Sequence, residues 1–231
     1  MGSFSSALLL FGISFLYGCT GTTNFDNFHL LFAGIDSETP LLTASVEKAL
    51  IFIMAAFFFK IAAAPFHMWS PDVYEGSPTS STIFFAVIPK IALFAVFLRF
   101  FQAVFASFEG FFLFVLIFFS IASVIVGSFV ALRQKKLKRL LAYSSISHVG
   151  YLFLAFSANS LEGTQALLFY LIIYMITSLC IWSVVLSLET LTSEKRSKTL
   201  IDLASISSTN PFLGFGGMLA FFSLAGVPPL A

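Results

Sequence analysis

Charged residues are scarce in this chain. Asp, Glu, Lys and Arg make up 10% of its 231 residues, against about 25% in globular domains, and the mean hydropathy is +0.98. Such a composition excludes a soluble globular protein. Any basic excess is also missing: Lys plus Arg number 12 and Asp plus Glu 11, leaving +1. So small a charge cannot neutralise a run of phosphates, which excludes nucleic acid as a main partner. The two cysteines, Cys19 and Cys180, lie too far apart for a disulfide framework or the paired ligands of zinc and iron–sulfur sites. His29, His67 and His148 never fall at i, i+4 or beside a carboxylate at ligand spacing, so no metal site is expected. A Gly-x-Gly-x-x-Gly nucleotide loop is lacking too.

What the chain does have is long apolar runs. Gly110 to Leu132, Leu140 to Leu161, Gly163 to Leu188 and Leu203 to Ala231 carry no charge, and each can supply the roughly 20 helical residues that cross a hydrocarbon core. Met1 to Phe25 holds a further apolar run. Leu41 to Gln102 is equally apolar but is interrupted by Lys60, Lys90 and the polar insert from His67 to Pro78. The predicted fold is therefore all-α and polytopic, a single transmembrane domain over 1–231 with about seven transmembrane helices, two of them broken. The helices are placed at roughly 3–18, 43–75 (broken), 78–102, 110–132, 140–157, 165–188 and 211–231 (incomplete). The segment Cys19 to Pro40 reads as a polar connection.

Alternating these crossings puts Arg133, Lys135, Lys136, Lys138, Arg139, Lys195, Arg196 and Lys198 on one face, side A, with Lys48 and Arg99 towards the other. Short loops collect basic residues on the cytoplasm-equivalent side, so side A is that face, or the matrix in a mitochondrion. The plainest role of Arg133 to Arg139 is to set this orientation. Met1-Gly2-Ser3-Phe4 enters its apolar run without the basic region of a transit or signal peptide.

Lys60, Lys90 and His148 fall near the centres of their predicted helices. A lysine side chain reaches about 6 Å, while the midplane lies about 15 Å from either edge, so neither lysine can snorkel out. Lysines so placed lose and regain protons near neutral pH when a neighbouring charge moves, which is the chemistry of a proton relay. A fixed ion pair for the lysines, and a simple interhelical hydrogen bond for His148 among Ser144, Ser145 and Ser147, are the structural alternatives. Breaks are expected at Pro65 and at Pro228-Pro229, because irregular backbone at membrane depth must be buried in protein or line a hydrated cavity. Phe58 to Pro65 also lines up with Phe221 to Pro228, which sets Ser223 opposite Lys60, the kind of internal similarity seen in transporters built from repeats.

The segment Phe59-Lys60-Ile61-Ala62-Ala63-Ala64-Pro65-Phe66-His67-Met68-Trp69-Ser70-Pro71-Asp72-Val73-Tyr74-Glu75-Gly76 resembles the central motif of the antiporter-like membrane-arm subunits of respiratory complex I, those of the subunit 2 type most closely. Pro89-Lys90-Ile91-Ala92, the run from Lys138 to Tyr151, and Ala225-Gly226-Val227-Pro228-Pro229-Leu230-Ala231 agree in order and spacing. The resemblance implies two inverted helical repeats, each with a broken helix, and a buried polar axis that carries protons through Lys60, Lys90 and His148. Asp72 and Glu75, at the side A end of the first broken helix, are candidates to collect protons or are solvated structural groups. NADH, FMN, iron–sulfur clusters and ubiquinone would then reside on partner subunits, with no cofactor or metal in this chain.

The same resemblance matches only a middle part of the family's length. A buried glutamate that usually partners Lys60 and a lysine beyond the second break are not in this sequence, so other chains supply those ends if the gene is split, or the sequence is partial. Other complex I membrane-arm subunits and membrane lipids are the implied partners. The implied place is the mitochondrial inner membrane, with a bacterial plasma membrane as the second choice. A subunit of a multisubunit sodium/proton antiporter and a truncated scaffold that no longer pumps are the competing readings.

Overall fold

The computed structural model describes residues 2–33, 40–191, 199–203, 206 and 210–227. Every regular element among them is helical: α1 (Gly2–Thr20), α2 (Phe25–Ala33), α3 (Pro40–Ile61), α4 (Trp69–Gly76), α5 (Thr79–Ala131), α6 (Leu137–Ser157), α7 (Leu161–Leu191), a 3-10 turn (Leu200–Leu203) and α8 (Pro211–Leu224). Five segments are long and apolar enough to cross a membrane: Gly2–Thr20, Thr79–Phe101, Phe112–Ala131, Leu137–Ser157 and Leu161–Leu188. The protein is a multi-pass membrane protein.

Two of those segments belong to α5, which cannot be one straight rod. Phe97 and Phe119 both pack on Phe58, with ring centroids 6.2 and 4.0 Å away, although the straight helix between them would span about 33 Å. The rings of Phe101 and Phe112 also meet at 5.6 Å. The chain therefore reverses between its first arm, Thr79–Phe101, and its second, Phe112–Ala131.

The connection from Cys19 to Pro40 holds a helix that its polar residues conceal. Phe25, Phe28 and Phe32 recur at i, i+3 and i+7, one face of a helix. In α2 that face is buried, with Phe28 and Phe32 4% and 2% exposed and Phe25 against Phe100 of α5 at 6.1 Å. Asp26 and Asn27 interrupt the run in sequence without interrupting the stripe.

Contacts at the two ends of the bundle bring several connections together. At one end Lys136 and Arg139 pair with Glu75 and Asp72, Lys138 donates to the Ser77 carbonyl at 3.2 Å, and Leu200 N–H donates to the Lys135 carbonyl at 3.3 Å. This end gathers the connections around 76 and 133–139 and the turn at Leu200; Lys195, Arg196 and Lys198, also assigned to side A, lie outside the described residues. At the other end the Arg99 guanidinium lies over the Phe25 ring at 5.8 Å. Between them, phenylalanine packs the core: Phe58, Phe94, Phe97, Phe101, Phe112 and Phe153 are among its largest buried side chains. Small residues bring the backbones close. A Cβ on Gly127 would lie 2.6 Å from the Ser147 nitrogen, and one on Gly150 2.9 Å from the Ser120 carbonyl oxygen, the close approach typical of membrane helix pairs.

Candidate functional site

The first break forms because α3 ends in a left-handed cap. Ala62 has φ 64, its N–H donates to the Phe59 carbonyl, and the Ala63 N–H donates to that of Phe58. These are the paired bonds of a Schellman motif, which satisfy the last carbonyls of a helix. The Trp69 indole also donates to the Phe59 carbonyl at 2.9 Å, and the Ala64 N–H donates to Ser123 Oγ of α5 at 2.9 Å. Freed backbone groups at membrane depth thus find partners within the protein. Pro65 lies in the turns that follow, before α4 starts at Trp69.

Lys60 stands one residue before the end of α3, half-buried, on the wall of an open groove of about 880 Å³. Gly2, Ser5 and Ser6 of α1 and Pro89 of α5 share that lining. No carboxylate pairs with Lys60 among the described residues.

Lys90 occupies a different environment. It follows Pro89, whose missing N–H interrupts the helix ladder, and is 6% exposed. Its ammonium donates to Ser145 Oγ of α6 at 2.8 Å and to the Tyr174 hydroxyl of α7 at 3.3 Å, and it lies 5.4 Å from the centre of the Tyr174 ring. His148, one turn along α6 from Ser145, is 8% exposed. Its Nδ1 bonds the Tyr170 hydroxyl at 2.6 Å, and its ring centroid is 5.0 Å from that of Tyr174. The fold thus brings Lys90 and His148 together around two tyrosines and leaves Lys60 apart in its groove.

Sequence reasoning did not single out Tyr170 and Tyr174. Tyr170, Tyr174 and Ser178 recur every fourth residue in a largely apolar helix, a polar stripe that was available to read. His67 is a second omission. It is 8% exposed, its Nδ1 has no hydrogen-bond partner among the described residues, and its ring lies 6.2 Å from that of Tyr143.

At the side A end of the broken helix, Asp72 pairs with Arg139, and Glu75 pairs with both Arg139 and Lys136. The hydrogen bond from Lys136, with the charge of Arg139 nearby, holds the Glu75 carboxyl below its ordinary value despite partial burial. Both carboxylates therefore tie α4 to the start of α6.

The likeness between the two breaks holds in the backbone, but one residue out of register from the sequence alignment. In α8 it is Gly226 that has the left-handed φ of 75, with its N–H on the Ser223 carbonyl and the Val227 N–H on that of Phe222. Matching cap to cap sets Leu224, not Ser223, opposite Lys60. The Phe-Phe and Pro identities had pulled the alignment one position away. Pro228 and Pro229 lie outside the described residues.

Chemically, the cluster holds an ammonium, an imidazole and three hydroxyls in one apolar setting with no carboxylate and no metal ligand set among the described residues. Such a set can hold and pass a proton. The whole chain, residues 1–231, matches the family described as NADH:quinone oxidoreductase/Mrp antiporter, TM. It is 44% identical over its full length to NADH-ubiquinone oxidoreductase chain 2 of Oenothera berteroana, covering 46% of that protein. It is 43% identical to NADH-quinone oxidoreductase subunit N of Paramagnetospirillum magneticum, covering 47% of it. The chain thus spans about half the length of the curated relatives it matches. Among solved structures, a chain of respiratory complex I from Thermus thermophilus superposes with TM-score 0.74 at 36% identity, over 99% of this chain and 47% of that one. A chain of the Mrp complex from Dietzia shares the fold, with TM-score 0.84 at 23% identity, over 99% of this chain and 40% of that one. The chain belongs to the NADH:quinone oxidoreductase/Mrp antiporter transmembrane family.

Proposed function

We propose that this chain works in the membrane arm of a proton-translocating NADH:ubiquinone oxidoreductase, complex I, relaying protons through Lys60, Lys90 and His148. The observation that carries the reading is Lys90: an ammonium at mid-span, with hydroxyls for partners and an imidazole beside them. A charge so placed costs several kcal/mol unless it is compensated, and hydroxyl partners leave it free to lose its proton as a fixed carboxylate pair would not. In this reading protons enter from side A by way of Asp72 and Glu75, which must exchange them through their ion pairs with Arg139 and Lys136.

NADH, FMN, the iron–sulfur clusters and ubiquinone belong to partner subunits in this reading. Other membrane-arm subunits and lipids surround the chain, and a carboxylate from outside the described residues meets Lys60. Identity to a plant chain 2 supports the mitochondrial inner membrane as its place.

Lys90→Ala in the assembled complex tests the relay. Proton pumping and turnover should fall together, by about a hundredfold, the lower end of the range for removing a positioned acid–base group. An assembled variant that pumps with normal stoichiometry removes Lys90 from the relay. Sodium-dependent transport without NADH in the parent complex would favour the antiporter reading instead.

A further inference from the structure

Two cavities adjoin the Lys90–His148 cluster. The smaller has room for about one water and is lined by Ser144, Ser145, Ser178 and Tyr174 together with apolar side chains. The larger, about 330 Å³, is lined by His148, Tyr170, Tyr174, Thr177 and Ser223 among others, enough polar groups to hold several waters. One polar residue, Tyr174, is common to both linings; the other shared residue is Leu224. Ser145, which accepts a hydrogen bond from Lys90, thus lines the smaller cavity and His148 the larger, with Tyr174 in both linings.

We propose that Tyr174 is the transfer residue between the Lys90 half and the His148 half of the relay, an inference that rests on the relay reading above. Its hydroxyl already accepts a hydrogen bond from Lys90 at 3.3 Å, and its ring lies against the imidazole at 5.0 Å. In the transfer, the Lys90 ammonium gives a proton to the Tyr174 oxygen as the tyrosine's own proton leaves to a water in the larger cavity. That water passes a proton to His148. Tyr174 ends neutral, one positive charge has moved from Lys90 to His148, and nothing is oxidised or reduced. Tyr170 holds His148 Nδ1 at 2.6 Å; in the tautomer whose Nδ1–H donates to the Tyr170 oxygen, Nε2 is the nitrogen that takes the proton. Leu224, the other residue shared by both linings, carries no exchangeable proton, which leaves Tyr174 as the group common to both cavities that can pass one.

The test uses the intact complex in sealed vesicles, with pumping and NADH turnover followed in parallel. Tyr174→Phe keeps the ring and its packing and removes only the hydroxyl, and is expected to pump about a hundredfold more slowly than wild type. Tyr174→His is expected to pump faster than Tyr174→Phe, because an imidazole can carry a proton. A packing role predicts the opposite order, since Phe is the closer match in shape. Wild-type pumping by Tyr174→Phe, or Phe outrunning His, overturns the proposal. If the Phe variant does not assemble, Tyr174→His against Tyr174→Gln gives the same reading, and equal rates overturn it. Lys90→Ala measured alongside separates the two levels: slow Lys90→Ala with normal Tyr174→Phe sinks the tyrosine alone, whereas normal Lys90→Ala sinks the relay itself.

Discussion

Replacing Lys90 by Arg keeps the charge and removes the chemistry. A guanidinium cannot lose its proton in this pH range, and its planar fork does not fit two single hydroxyl acceptors. Lys90→Arg should therefore assemble and pump no better than Lys90→Ala; pumping restored by Arg would mean that the site needs only a fixed positive charge. Ala62 carries the other residue-scale demand. Its left-handed φ of 64 costs an L-residue roughly 1–2 kcal/mol, and a β-branched side chain tolerates it worse. Ala62 is also 4% exposed. Ala62→Gly should be tolerated and Ala62→Val should lower the thermal stability of the assembled complex, a ranking that unfolding temperatures check. Lys60, Lys90 and His148 stand out in the sequence because a titratable group is conspicuous in an apolar run, and the fold gathers Lys90 and His148 while Lys60 lines a separate groove. Tyr170 and Tyr174 do not stand out, because tyrosine blends into apolar composition until the helical period is applied to it.

Helix pairs position these side chains, and the α5–α6 pair does most for Lys90 and Ser145. Gly127 and Gly150 let the two backbones touch: an added Cβ would come 2.6 Å from the Ser147 nitrogen or 2.9 Å from the Ser120 oxygen, and backbone cannot step aside as a flexible side chain can. Ser120 Oγ also donates to the Gly150 carbonyl at 2.7 Å across this seam. Gly150→Ala should part the helices at a cost of about 1–3 kcal/mol, and it should slow pumping as well, since Lys90 and Ser145 sit on the two helices it separates. A variant with unchanged unfolding temperature and pumping would mean that the seam does not set the site. The α4 clamp behaves differently. Glu75 is held below its ordinary value by Lys136 and Arg139, so its contribution is present above the unfolded carboxylate value near 4.3 and is lost only as pH falls through the lowered folded value. Hydrogen exchange of α4 should therefore be insensitive to the clamp's titration from about pH 5 to 8. Arg139→Ala, which leaves both carboxylates short of a partner, should speed that exchange modestly, as a surface pair worth about 1 kcal/mol allows.

At the scale of the whole molecule, the sequence shows basic residues collecting on one side, and the contacts among Glu75, Lys136 and Arg139 and between Leu200 and Lys135 gather the described connections around 76, 133–139 and 200 at one end. Helix α2 and the register of the second break were not legible. A nine-residue amphipathic helix hides among polar residues, and a cap is defined by backbone dihedrals rather than by the prolines beyond it. The largest demand left by the fold concerns Lys60. Lys90 faces hydroxyls inside the bundle, whereas Lys60 faces a groove of about 880 Å³ walled by Ser5, Ser6, Phe59 and Pro89 and has no carboxylate among the described residues. An ammonium at that depth cannot reach either membrane edge and is costly in contact with lipid, so in the working assembly a carboxylate should lie within about 4–6 Å of Lys60, the range in which it holds a lysine protonated. Because that carboxylate would lose its own partner, Lys60→Ala should bury an uncompensated negative charge and cost more stability than Lys60→Met combined with neutralisation of the carboxylate. A structure of the intact assembly with only apolar groups or lipid around Lys60 would defeat this expectation and leave the scaffold reading as the better account of that half of the bundle.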